Sequence, residues 1–133
     1  MSKIYADTKF VGVWKCLSKV KAVEFNKTNV TFQDKAQYVT FSNTQGGTIM
    51  YFGTPEENTG RIIATRAADN AVEFIFKAKD PRFIIKEHLI INLMDNSTLK
   101  GQSTVEYLTK QGTVAKVKLW HDYKRMGRMQ AGG

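Results

Sequence analysis

The chain has 133 residues, a formal net charge of +8, 42% hydrophobic residues and one cysteine. This length suits a single domain with its own hydrophobic core, and the composition argues against a disordered chain. A lone cysteine excludes an internal disulfide, and no His/Cys cluster has metal-ligand spacing, so we predict neither metal nor cofactor. Without a signal-like segment or an apolar run of membrane length, we expect a cytoplasmic protein with no membrane insertion.

The predicted elements are all β-strands. Alternating apolar and polar residues predict ten strands, in chain order over residues 10–17, 20–26, 28–33, 37–42, 47–52, 60–66, 71–78, 83–94, 98–108 and 112–123. Such alternation is typical of antiparallel strands with one buried and one wet face. We expect residues 1–133 to form one domain, with 1–9 as a loosely attached N-terminal arm and 127–133 as a flexible tail.

A sheet with this many strands leaves edges that invite aggregation unless it closes. We therefore predict an all-β fold, a single antiparallel up-and-down β-barrel of eight to ten strands. Closure of a meander would bring the first and last strands together. The net charge is +4 over residues 1–40, −1 over 41–80 and +5 over 81–133. The two basic ends would thus merge into one basic region suited to anionic partners.

The first strand begins with the motif Phe10-x-Gly12-x-Trp14-Lys15. This motif, with the C-terminal meander, resembles the calycin superfamily, which includes the lipocalins and the intracellular fatty-acid-binding proteins. The resemblance implies a calycin-like barrel with Gly12 and Trp14 at its closed end. It also implies a basic residue of the last strand, Arg125 or Lys124, packed over the indole. The function implied is lipid binding, or binding of another small hydrophobic molecule, in an apolar cavity.

The buried faces of the last three strands can be assigned from their alternation. In the final strand Lys116, Lys118 and Asp122 share one face, so the other face is predicted to point inward. The predicted inward residues are Phe83, Ile85, Glu87, Leu89, Ile91, Leu93, Leu99, Gly101, Ser103, Val105, Tyr107, Ala115, Val117, Leu119, His121, Tyr123 and Arg125. The opposite face of strand 83–94 is also half apolar, which indicates either a bulge or a homodimer contact.

These assignments lead to a candidate binding site. Tyr123 and Arg125, two residues apart on one strand, would hold an anionic head group. The remaining candidates inside the barrel are His121, Tyr107, Glu87, Phe74, Phe76 and Leu119, with Ile85, Leu89 and Val117 as further lining residues. We therefore expect a binding protein for a small, largely apolar ligand with an anionic head. The alternative is that Arg125 lies past the rim and that His121 and Tyr123 bond only to the protein.

Two other functions remain open. Trp120 is predicted to face outward beside Lys116, Lys118 and Lys124, an arrangement that suits nucleic acid, a protein partner or local packing against lysine stems. Catalysis has few sequence signals, since no nucleophile elbow or phosphate loop is present. A calycin-type enzyme would use acid–base residues of the cavity, namely Glu87, Tyr107, His121 and Tyr123. Cys16 shares the face of Trp14, so we expect a buried thiol.

Overall fold

The computed structural model describes residues 3–127, which form a single antiparallel sheet of nine strands. A turn of 3-10 helix, Thr8–Phe10, precedes the first strand. The strands are β1 Gly12–Asn26, β2 Lys35–Thr44, β3 Gly47–Gly53, β4 Asn58–Ile63, β5 Arg66–Ala68, β6 Ala71–Lys79, β7 Ile84–Asp95, β8 Thr98–Thr109 and β9 Gly112–Gly127. Within residues 3–127, no helix has the length and apolar character needed to cross a membrane.

The first and last strands are hydrogen-bonded neighbours. The strand order is β4-β3-β2-β1-β9-β8-β7-β6-β5, so each strand pairs with its neighbours in sequence except where β1 meets β9. In that pair Trp14 lies opposite Arg125 and Ser18 lies opposite His121. The predicted meeting of the two basic ends of the chain is therefore confirmed.

The sheet curls strongly, because strands near its opposite edges contact each other. Phe52 on β3 and Phe76 on β6 have ring centroids 6.0 Å apart, although β3 and β6 are each second from an edge of the sheet. Phe41 on β2 and Phe74 on β6 are separated by 6.2 Å. The curl creates a concave face. The inward residues predicted for β7, β8 and β9 lie on that face, and most of them are buried.

One end of the concave face is filled by aromatic side chains around Trp14. The indole is fully buried, and its Nε1 donates a hydrogen bond to the carbonyl of Phe10 at 2.8 Å. The guanidinium carbon of Arg125 lies 4.2 Å from the centre of the indole. The same guanidinium donates hydrogen bonds to the carbonyls of Val11, Asn96 and Lys9. The cation over the indole that the motif implies is thus present.

Several predicted strand boundaries were wrong. The predicted strands 10–17 and 20–26 are one strand, β1, whose register shifts between Val20 and Ala22 and so breaks the alternation. The segment 60–66 is divided between β4 and β5, and the predicted strand 28–33 lies in a loop. In that loop the Asn26 carboxamide accepts from the Thr28 amide and donates to the Val30 carbonyl, which bends the chain into a turn.

The N-terminal segment packs firmly against β3, so the prediction of a loose arm over residues 1–9 is wrong for the part that the structure describes. The Ala6 amide donates to Thr48 Oγ1 at 2.7 Å, and the Thr48 amide donates to the Ile4 carbonyl at 2.8 Å. Gly47 has a φ of +117°, and a Cβ there would lie 2.8 Å from the Ile4 oxygen, so this contact needs glycine. Of the predicted tail 127–133, residues 128–133 lie outside the described residues.

Candidate functional site

The concave face encloses two adjoining cavities that share Lys35, Glu87 and Leu119. The inner cavity measures about 280 Å³, and its apolar wall consists of Val39, Met50, Phe52, Phe76, Leu89 and Leu119. The loop-side cavity measures about 410 Å³ and lies between β7–β9 and the loop that precedes β2. Its apolar wall consists of Val20, Phe32, Ile85, Val105, Val117 and Leu119. Together the two cavities fall within the size range of small-molecule sites.

A buried histidine lies between two serines in the wall of the inner cavity. The Nδ1 atom of His121 is 2.7 Å from Ser18 Oγ, and its Nε2 atom is 2.8 Å from Ser103 Oγ. These residues come from β9, β1 and β8, three strands that are adjacent in the sheet. Gly101 lies directly opposite His121, and a Cβ there would lie 3.4 Å from His121 Cβ and 3.2 Å from Tyr123 Cε1. The glycine therefore makes room chiefly for the Tyr123 ring.

His121 is neutral at physiological pH. Burial lowers its pKa from 6.5 to about 4, and the positive charge of Lys35 acts in the same direction. A neutral imidazole has one donor and one acceptor nitrogen, and each is satisfied here by a serine hydroxyl. The ring therefore orients the two serines and has no free nitrogen for a ligand unless one serine is displaced.

The hydrogen bonds continue from the two serines in both directions. Ser103 also bonds Glu87, whose carboxyl pKa is raised by desolvation, against the opposing effects of that bond and of Lys35. On the other side, Ser18 Oγ lies 3.5 Å from the Cys16 sulfur, which also interacts with the Tyr123 hydroxyl. Burial raises the pKa of Cys16, and it raises that of Tyr123 strongly. This polar chain, running from Tyr123 to Glu87, crosses one wall of the inner cavity and is uncharged over most of its length.

Lys35 is the cation of the site, and the sequence analysis missed it. Among the described residues it is the only cationic side chain that lines either cavity. Its charge lowers the pKa values of Cys16, Glu87 and His121, so the ammonium acts electrostatically on the polar chain although Lys35 is an exposed residue. No carboxylate within residues 3–127 lies within 4.0 Å of Lys35 Nζ. Lys35 therefore forms no close ion pair there, although Glu87 lines both cavities with it and interacts with its charge.

The loop over residues 27–34 forms one side of the loop-side cavity through its residues 31–34. Its ends are tied to the sheet, because the Lys27 amide donates to the Val114 carbonyl and the Val20 amide donates to the Asp34 carboxylate, each at 2.8 Å. Phe32 from this loop meets the ring of Tyr107 edge-on, with centroids 5.4 Å apart. The loop thus adds an aromatic side chain to a cavity otherwise formed by the strands.

The structure brings most of the predicted site residues together. Tyr123, His121, Glu87, Phe76 and Leu119 line the inner cavity, and Tyr107 lines the loop-side cavity with Glu87 and Leu119. The structure places the remaining two elsewhere: Phe74 is fully buried against Phe41, and Arg125 lies over Trp14 at the filled end.

Of the two residues predicted to hold one head group together, only Tyr123 lines these cavities. The Arg125 guanidinium is held by carbonyl groups of the protein and lines neither of the two cavities. Its place as the cation of the cavity is taken by Lys35 from β2. The spacing of alternate residues on a strand, about 6.7 Å, carries the Arg125 side chain past the cavity to the indole.

Trp120 lies on the convex face, as predicted, with 42% of its surface exposed. Lys21 Nζ lies 4.4 Å from the centre of its indole, so local packing against a lysine is present. Two of the lysines expected beside it, Lys116 and Lys118, lie 3.5 and 3.4 Å from the Glu24 carboxylate.

No protein-family model, curated protein or solved structure matches the chain. The chemistry of the site must therefore be inferred from its own residues. Within residues 3–127, no group of three His, Cys, Asp or Glu side chains is placed to hold a metal ion. A buried thiol with a raised pKa is a weak nucleophile, and a histidine with a pKa of about 4 is a weak base. The arrangement is better suited to binding than to catalysis.

Proposed function

We propose that this protein binds a small, largely apolar molecule with an anionic head group. In this proposal the curled sheet is an up-and-down β-barrel of the calycin type, and the ligand occupies its interior. The observation that carries the proposal is the pair of adjoining cavities with apolar walls and a single cation where they meet. Sites for small molecules commonly combine an apolar lining with a few fixed polar groups.

Lys35 is the group that would hold the anionic head. A carboxylate or sulfonate beside its ammonium would form the close ion pair that no described carboxylate forms with Lys35. A hydrogen bond to a charged group contributes about 1.5–3 kcal/mol, which corresponds to roughly ten- to hundredfold in affinity. Ser18 borders the same inner cavity and offers a hydroxyl, whereas Glu87 can donate to an anionic head only in its protonated form, which its raised pKa favours.

The apolar part of the ligand would lie against Leu119, which borders both cavities, and extend beneath Phe32. Burial of apolar area contributes about 25 cal/mol per Å², so even a small ring or short chain gains affinity from these walls. The loop over residues 27–34 forms one side of the loop-side cavity, so a ligand there would contact it through Phe32.

Anilinonaphthalene sulfonate, which joins an apolar ring system to a sulfonate, is a suitable probe. Its fluorescence is expected to rise on binding, and the Lys35→Met variant should bind it about ten- to hundredfold more weakly. Lys110→Met, in the exposed β8–β9 turn, removes the same charge away from the cavities and should bind normally. Leu119→Trp fills the junction of the cavities and should abolish binding.

The proposal fails if Leu119→Trp folds cooperatively and still binds the probe as the parent protein does, because the probe would then sit outside the concave face. Equal weakening by Lys35→Met and Lys110→Met would mean that net charge, rather than a head-group contact, controls binding. In that case the assignment of Lys35 is wrong even if the cavity is the site.

A further inference from the structure

The pairing of β1 with β9 places an exposed indole in a field of lysines on the convex face. We call this surface the basic seam and define it by the outward residues Lys15, Lys19, Lys21, Trp120 and Lys124. Lys19 lies directly opposite Trp120, and Lys15 lies directly opposite Lys124. The register shift between Val20 and Ala22 makes Lys21 an extra residue, and its ammonium lies 4.4 Å from the centre of the indole.

The charge of the seam is largely uncompensated. Within residues 3–127, no carboxylate lies within 4.0 Å of the ammonium groups of Lys15, Lys19, Lys21 or Lys124. The neighbouring carboxylates are already engaged, Glu24 with Lys116 and Lys118, and Asp122 with Lys100. The seam therefore presents a positive potential to solvent and attracts a polyanion.

The seam also has exposed apolar surface. Trp120 is 42% exposed and Leu17, on the same face of β1, is also 42% exposed. A large exposed aromatic ring contributes stacking to any flat partner, whereas lysines contribute attraction to any anion. A partner that uses both must carry regularly spaced negative charges and unpaired flat rings.

We propose that the basic seam binds single-stranded nucleic acid, with a base stacked on Trp120 and phosphates against the seam lysines. Lys15, Lys19 and Lys21 extend over about 20 Å of β1, so they can follow an extended sugar–phosphate backbone. A duplex hides the faces of its bases, and a broad convex sheet cannot enter its grooves as a helix or a two-stranded ribbon does. On binding, the Lys21 ammonium would move from the face of the indole to a phosphate, and a base would take its place on the ring.

An oligothymidylate of about 20 nucleotides tests the proposal, because it forms no duplex and spans more than one ordinary binding site. The chain has two tryptophans, and Trp14 is fully buried, so quenching of the intrinsic fluorescence reports on Trp120. We expect quenching on titration and an affinity that falls steeply with salt, with log K linear in log salt concentration. A duplex of the same length should bind more weakly and quench little.

Variants separate stacking from charge. Trp120→Ala should weaken binding about fivefold to a hundredfold, measured by anisotropy of a labelled oligonucleotide. The double variant Lys19→Glu, Lys21→Glu should weaken it about tenfold or more and reduce the salt slope. Lys110→Glu is the matched control for a charge reversal, since residue 110 lies at the far end of β9, about 26 Å along the strand from Trp120. Lys35→Met should leave oligonucleotide binding unchanged, which separates this proposal from the proposed ligand site.

The inference is overturned if the double variant binds the oligonucleotide no more weakly than Lys110→Glu does, or if duplex binds as tightly as the single strand. It is also overturned if vesicles of anionic lipid bind the seam while the oligonucleotide does not. If Trp120→Ala fails to fold, the lysine variants still test the proposal. They are expected to fold, because the side chains of Lys19 and Lys21 are exposed and make few packing contacts.

Discussion

The hydroxyl of Ser18 lies 2.7 Å from Nδ1 of His121, a partner 103 positions away in the sequence. The two residues are directly opposite each other where β1 meets β9. This contact joins the first and last strands on the concave face, and it is a link of the polar chain that leads on through Ser103 to Glu87. The same strand pairing thus forms the wall of the cavity and the basic seam behind it.

Removing one hydroxyl from this contact should be costly. Ser18→Ala leaves a ring nitrogen of His121 without its partner, and we expect the free energy of unfolding to fall by about 1–3 kcal/mol. Urea denaturation of Ser18→Ala, His121→Leu and the double variant completes a double-mutant cycle. The double variant should lose less than the sum of the single losses, because it buries no unpaired nitrogen at this contact. Strict additivity would show that the two groups do not interact.

The stability of the protein should decrease in mild acid through His121. Its folded pKa of about 4 lies below the ordinary 6.5, so between these values the unfolded chain takes up a proton that the folded chain does not. The unfolding free energy should fall as the pH drops from about 6.5 towards 4, by roughly 3 kcal/mol at most. His121→Gln should show a flatter profile over this range. An unchanged profile would contradict a buried neutral imidazole.

Glu87 should change the pH dependence of the unfolding free energy in the direction opposite to His121. Its pKa is raised in the folded state, so the folded chain binds a proton more readily, and this contribution to stability grows as the pH falls through the raised pKa. Above that pH the folded protein must bury part of a charged carboxylate. We therefore expect Glu87→Gln to be more stable than the parent at pH 8, with the difference vanishing below about pH 4.5. Glu57→Gln, at an exposed site, is the control and should show no such trend.

Arg125 should contribute to stability and not to ligand binding. Arg125→Met removes a cation from the face of Trp14 and three hydrogen bonds to backbone carbonyls. We expect thermal and urea unfolding to report a loss of about 2–4 kcal/mol, with probe affinity unchanged where the variant is folded. Lys124→Met, the exposed neighbour, is the matched control and should be nearly neutral. Weakened probe binding without loss of stability would show instead that Arg125 contributes to ligand binding.

The buried faces of the C-terminal strands could be predicted because their alternation is regular and one face carries the charges. Val117 and Tyr123 are buried, whereas Lys116 and Lys118 on the opposite face are not fully buried and pair with Glu24. The pairing of β1 with β9 could be predicted on the premise that a meander with this many strands closes on itself. The loop over residues 27–34 was not predictable from its alternating pattern, because the side-chain hydrogen bonds of Asn26 override it.

The cation of the site was not predictable in the same way. Alternation assigns a face to a residue, but it does not say how far along the cavity that residue lies. Arg125 is on the inward face and still reaches only the filled end, whereas Lys35, an exposed residue at the very start of β2, lines both cavities. The contact between Ser18 and His121 depends on the exact register of β1 against β9. Alternation within each strand does not determine which residues of two strands lie opposite each other.

The most direct test of the central claim is native mass spectrometry of the freshly purified protein, compared with the same sample after denaturation. We expect the native protein to carry an additional small mass that is lost on denaturation, and we expect Leu119→Trp to lack it. Its retention by the folded Leu119→Trp variant, or a parent protein that stays at its bare chain mass even after incubation with anilinonaphthalene sulfonate, would contradict a ligand-binding cavity on the concave face.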